Sequence, residues 1–160
     1  FIEEILVSAQ VLFEDGEVRT VDKDFFRFGY DYSILHDREI VVLTASLKLS
    51  PSSERSIRKQ IEANLSWRRQ KQPSLEKFPS CGSVFKKIEG VGAGRLIDQA
   101  GLKGFRIGNA QVSEKHANFI VNLGSAKAAD VFELIRYIQN QVRDQTGHSL
   151  EPEIGFVGNF

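Results

Sequence analysis

With 160 residues, 41% hydrophobic and 26% charged, the chain has room for one ordinary domain or two small ones and enough apolar material for a core, which argues against disorder. Twenty-one basic and twenty-one acidic side chains cancel, so the basic excess expected of a nucleic-acid binder is missing. A single cysteine, Cys81, excludes an intramolecular disulfide and a four-cysteine zinc site and fits a cytoplasmic protein.

No metal site is expected, no run approaches the roughly 18 apolar residues of a membrane span, and no signal peptide opens the chain. There is no methionine, and Phe1 reads as an internal boundary of a longer protein. In chain order, residues 2–13 place Ile5, Val7, Ala9 and Val11 at alternate positions, the period of a strand with one buried face. Asp15-Gly16 is a hairpin signal, and residues 17–21 read as the return strand. Residues 39–49, rich in β-branched side chains, predict a third strand.

Pro51-Ser52-Ser53-Glu54 has the form of a helix start, a hydroxyl cap followed by an acid. Ile57, Ile61 and Leu65 recur every four residues behind it, and the helix should end before Pro73. Arg68, Arg69 and Lys71 then lie where cations complement the macrodipole, or alternatively where they meet a substrate phosphate. Residues 78–108 are glycine-rich and read as loop, apart from a short helix over 93–100 that Gly101 would stop. A strand is expected at 118–123. Val131, Leu134, Ile135, Ile138 and Val142 predict an amphipathic helix with Ser125 as cap and Gly147 as stop. A last strand is expected over 153–157. The pattern is that of a two-part α+β protein.

Four blocks carry the chemistry: residues 28–33 (FGYDYS), 79–86 (PSCGSVFK), the long stretch 93–119 ending in Lys115-His116-Ala117-Asn118-Phe119, and 150–154 (LEPEI). In this order and spacing they resemble the C-terminal half of the MurB family, the UDP-N-acetylenolpyruvoylglucosamine reductases, over essentially the whole chain. The resemblance implies reduction of UDP-N-acetylglucosamine enolpyruvate to UDP-N-acetylmuramate with NADPH and FAD. It implies an α+β fold with antiparallel strands and a helix completing an FAD-binding domain over 1–78. A substrate-binding domain over 79–148 and a tail over 149–160 returning to the site would follow.

In such enzymes hydride goes to the terminal enolpyruvyl carbon and a proton to its neighbour, so an acid and an enolate stabiliser are needed. Ser83 matches the family's proton donor and Glu153 its essential C-terminal glutamate; each could also be bland, a turn serine and a solvent-facing strand carboxylate. Lys86, Gln111, Lys115 and Asn118 lie in matching blocks as candidates for substrate diphosphate, uridine or carboxylate, or else as surface charge and loop caps. His116 reads as a residue that packs or bonds at a strand start, and Cys81 as a small packing residue. Where the family reads Tyr-Arg, this sequence has Tyr30-Asp31, a carboxylate where a guanidinium steadies the enolate; Lys87 is a second departure.

Residues 90–94 (GVGAG) only superficially resemble a phosphate loop. The resemblance implies a flavin site mostly in an N-terminal half outside this chain, and the 160-residue chain is expected neither to hold FAD nor to turn over. A non-catalytic nucleotide-sugar-binding module, or a diverged paralogue, is the alternative.

Overall fold

The computed structural model describes residues 1–158. The chain forms two compact units, Phe1–Ile57 and a second from Arg58 onward, each with its own core.

In the first unit a single helical turn, α1 (Ile2–Ile5), precedes β1 (Leu6–Leu12), β2 (Val18–Asp22) and β3 (Val41–Leu47), an antiparallel sheet in the order β2-β1-β3. The hairpin is closed by residues 14–16. Gly16 takes φ 81 and donates to Phe13 O at 2.9 Å, while Phe13 N reaches Glu17 O at 2.9 Å. That left-handed conformation is the reason for glycine there. The expected strand over 2–13 thus begins four residues late, and its alternation is broken. Leu6 is buried, and Val7 is half exposed. The cause is a bulge: Leu6 pairs with Leu47 but Ser8 with Ser46, so Val7 is an extra residue that reverses the phase. Leu6, Ala9, Val11, Phe13, Phe26 and Ile34 form the core. Phe13, Phe25, Phe26 and Phe28 continue it as successive ring contacts, with centroids 5.4–5.5 Å apart. Edge strand β3 is exposed throughout, Val41, Leu43 and Leu47 included.

Helix α2 (Glu54–Lys71) starts as expected, with Ser53 Oγ accepting from Ser56 N at 3.2 Å. Its stripe of Ile57, Ile61 and Leu65 is about half exposed, and Trp67 more so. An 18-residue helix with no buried side chain gains little of the tertiary packing that normally holds helices.

The second unit holds α3 (Ala93–Gln99), β4 (Arg106–Ile107), β5 (Ala110–Val112), β6 (Ile120–Asn122) and α4 (Ala128–Thr146). The short strands pair antiparallel in the order β4-β5-β6, and α4 packs on α3, β4 and β5. Helix α3 ends in a Schellman motif: Gly101, at φ 70, donates to Asp98 O at 3.0 Å and Leu102 N to Ile97 O at 3.2 Å, and both apolar side chains are buried. The β4–β5 hairpin interrupts what the sequence reads as loop. Its turn is Gly108-Asn109 between the paired Ile107 and Ala110, a two-residue hairpin signal hidden by the surrounding glycines. Helix α4 stops at Gly147 (φ 72), whose N–H bonds Arg143 O at 2.8 Å.

Its start differs from expectation. Ser125 Oγ accepts from Asn109 Nδ2 at 2.9 Å, and the helix begins after Lys127, whose N–H is taken by the Asp130 carboxylate at 2.9 Å. Gly108 makes room for that carboxylate: a Cβ there would stand 2.4 Å from Asp130 Oδ2, at φ +54. Gly108→Ala is expected to destabilise this unit by about 2–3 kcal/mol, combining left-handed strain with a lost cap. Chemical denaturation tests it, and a loss under about 0.5 kcal/mol, the ordinary surface range, would show that Asp130 yields freely.

The expected strand over 153–157 is reduced to an isolated bridge between Phe85 and Pro152. Glu153 N still bonds Val84 O beyond that bridge, but Val157 is almost fully exposed.

Candidate functional site

The site grows from a short extended segment, Ser83–Lys86, held between two others. On one side Asn122 N donates to Pro79 O at 2.8 Å, Ser83 bridges Phe119, and Val84 N donates to Asn118 O at 2.9 Å. On the other, Glu153 N donates to Val84 O at 2.8 Å, and Lys86 N to Glu151 O at 2.9 Å. Val84 and Phe85 sink into the core with Leu134, Ile135 and Leu150. Ser83 and Lys86 are half-buried, and Glu153 is exposed. Gly82, at φ 90, turns the chain into Ser83, a conformation that L side chains rarely adopt. Residues distant in sequence, Ser83, Lys86, Asn118 and Glu153, are thereby brought onto one hydrogen-bonded ribbon.

Asn118 is buried, and its carboxamide is committed at both ends: Oδ1 accepts from Phe85 N at 2.9 Å and Nδ2 donates to Phe85 O at 2.9 Å. The Lys86 ammonium pairs with Glu151, the other carboxylate of the 150–154 block. Gln111 Nε2 donates to Gly104 O at 2.9 Å, bracing the β4–β5 hairpin. Lys115 Nζ donates to Arg69 O in the last turn of α2, a cation on a helix C-terminal carbonyl. Ser80 Oγ is buried without a hydrogen-bond partner three residues before Ser83, the kind of polar atom that needs an explanation in a native fold. Cys81 is exposed and does not pack, contrary to expectation. In the first unit Asp31 occupies a tight turn closed by mutual bonds of Gly29 and Tyr32, at φ 50, where aspartate is among the few non-glycine residues tolerated. Among the described residues no cluster of three metal-ligating side chains occurs, and no helix is long and apolar enough to cross a membrane.

His116 bonds within the loop, as its sequence context suggests. Its Nδ1 accepts from Asn118 N at 3.2 Å and its ring meets Phe119 edge-on at 4.9 Å, so the ring proton belongs on Nε2. Burial pushes its pKa below the ordinary imidazole value, a backbone hydrogen bond opposes this, and the Lys103 charge lowers it further. The folded state therefore favours neutral imidazole. Its contribution is complete above the unfolded pKa, about 6.5, and is lost as pH falls through the folded value. The denaturant midpoint should drop below about pH 6.5 more steeply for the wild type than for His116→Asn. Identical slopes would remove His116 from the acid sensitivity.

Comparison with known proteins agrees with this architecture. Residues 72–157 match the family model "UDP-N-acetylenolpyruvoylglucosamine reductase, C-terminal domain". Among curated relatives, the UDP-N-acetylenolpyruvoylglucosamine reductase of Agathobacter rectalis is 45% identical over 159 residues, 99% of this chain and 50% of that protein. That of Trichormus variabilis is 45% identical over 160 residues, 99% of this chain and 48% of that protein. The crystal structure of UDP-N-acetylenolpyruvylglucosamine reductase (MurB) from Thermus caldophilus superimposes with a TM-score of 0.79 at 37% identity, covering 94% of this chain and 52% of that one. The chain spans about half the length of the curated relatives it matches. With a family model matched over more than half its length, the chain belongs to the UDP-N-acetylenolpyruvoylglucosamine reductase family, whose C-terminal domain it carries.

Proposed function

We propose that this chain supplies the substrate-binding and proton-delivering part of a cytoplasmic reductase that uses NADPH and FAD to convert UDP-N-acetylglucosamine enolpyruvate to UDP-N-acetylmuramate, a peptidoglycan precursor. The observation that carries the reading is the ribbon that joins Ser83 to the segment holding Glu153. On this reading Ser83 Oγ gives its proton to the enolate carbon. A hydroxyl is a weak acid, but an enolate is a strong base, and a positioned donor suffices. Glu153 orients the reacting group, and Lys86 and Lys115 offer cations to diphosphate or carboxylate, with Gln111 as a polar contact. Residues 1–78 complete a flavin domain, 79–148 bind substrate, and 149–160 return Glu153 to the site.

The segment over residues 90–94 does not fit the flavin itself. Gly90 and Gly92 turn the chain into α3, a helix of only seven residues, and a Cβ on Gly94 would lie 3.3 Å from His116 and 3.5 Å from Asn118. These glycines serve turning and close packing, so no flavin step is assigned to them. The exposed apolar residues of β3 and of α2 support an N-terminal flavin-binding half as the partner that covers them.

The test is reconstitution. The chain alone should be colourless and should not oxidise NADPH. Supplied with the N-terminal half of the Agathobacter rectalis relative, it should turn yellow and sustain NADPH oxidation beyond one equivalent only when the enolpyruvyl sugar is present. Stoichiometric flavin on the chain alone would overturn the assignment of the flavin site. Asp31 favours a second reading, a nucleotide-sugar-binding module, which predicts UDP-sugar binding with no turnover after reconstitution.

A further inference from the structure

We propose that Asn118 is a positioning residue: it fixes the backbone that carries Ser83 and Lys86 without touching the substrate. The proposal rests on the reading of Ser83 as proton donor. Successive N–H groups of a regular strand point to opposite sides. Here Val84 N and Phe85 N both turn to residue 118, the first to its backbone oxygen and the second to its side chain, each at 2.9 Å. The backbone of residues 118–119 cannot serve this break in the ladder alone. The carboxamide fills it, presenting one acceptor and one donor to Phe85 as a neighbouring strand residue would. Val84 O and Lys86 N are meanwhile held from the other side by residues 153 and 151. Loss of the carboxamide would leave the Phe85 amide and carbonyl without partners in the core and loosen the ribbon between its two anchors.

The clamp is itself aimed by its neighbours. Asn118 N donates to His116 Nδ1, and the missing side chain of Gly94 lets α3 lie against both residues. Both ends of the carboxamide are engaged within the protein and the residue is buried, which leaves it little surface to offer a substrate. Ser83 is two residues from the clamped Phe85, and a misplacement of about 1 Å at a reacting group can cost on the order of a hundredfold in rate.

Asn118→Asp is the sharper test. Its neutral acid has one O–H donor and one carbonyl acceptor and can replace both bonds, whereas its carboxylate has no donor and repels Phe85 O. In the reconstituted reductase at pH 8, Asn118→Asp is expected to lower kcat about tenfold to a hundredfold, with KM for the enolpyruvyl sugar within about twofold. The ratio of its kcat to the wild-type value at the same pH should recover as pH falls. Exchange of the Phe85 amide, read by NMR on the 160-residue chain, should accelerate about tenfold or more at pH 8 and return toward wild type in acid.

A rise in KM with kcat preserved would make Asn118 a substrate ligand and overturn the proposal. So would unchanged Phe85 exchange, or faster exchange with unchanged kcat. If Asn118→Ala fails to fold, the acid recovery of Asn118→Asp still decides. Full turnover by Ser83→Ala would instead show the proton-donor reading to be wrong, while Phe85 exchange would still report whether the clamp exists.

Discussion

Ser83→Ala in the reconstituted reductase is expected to lower kcat by about 10²–10⁴, the usual contribution of a positioned proton donor, and to leave KM nearly unchanged. The residue is half-buried beside a glycine at φ 90, and its backbone bridge to Phe119 does not depend on the hydroxyl. The variant should therefore fold as the wild type does. Steady-state kinetics with the enolpyruvyl sugar, together with the denaturation midpoint, separates the two effects. A kcat within threefold of wild type would end the role assigned to Ser83. A comparable fall in the midpoint would mean that the loss is structural.

Leu134→Ala carries the largest expected effect on stability, about 2–5 kcal/mol, because the side chain is fully buried and its removal leaves a cavity. That is a large share of the roughly 5–15 kcal/mol that holds an ordinary domain together. Leu134 shares one core with Val84, Phe85 and Leu150, so the ribbon should loosen with it. Asn140→Ala, an exposed change on the same helix, is the control and should stay within about 0.5 kcal/mol. Equal midpoints for the two variants would mean that α4 is not anchored as described.

Much of the fold was legible because it is governed by neighbours a few residues apart. The stripe of Leu134, Ile135, Ile138 and Val142 and the stop at Gly147 appear in α4 as read. So do the Ser53 cap of α2 and the Gly101 end of α3. Where local signals competed, the reading slipped. Ser125 offered a cap but bonds Asn109, and the helix starts instead after Lys127, whose N–H the Asp130 carboxylate takes. Val7 looked inward by alternation, but the pairing of β1 with β3 inserts it as a bulge. Gly108-Asn109 was a hairpin signal lost among other glycines.

By itself the sequence determined helices α2, α3 and α4 and their stops, the α+β class and the family resemblance, and through that resemblance Ser83 and Glu153 as site candidates. The elements follow from side-chain chemistry and spacing along the chain, and the two residues follow from the resemblance. Only the tertiary structure decided which of the candidate residues meet. The Asn118 clamp joins residues 33 apart, and the Lys86–Glu151 pair joins residues 65 apart. Such contacts form when distant segments share a core, and no local periodicity encodes them. Burial decided the rest: it satisfies both ends of the Asn118 carboxamide inside the protein, and it leaves the stripe of α2, apolar by every local measure, without cover among the described residues.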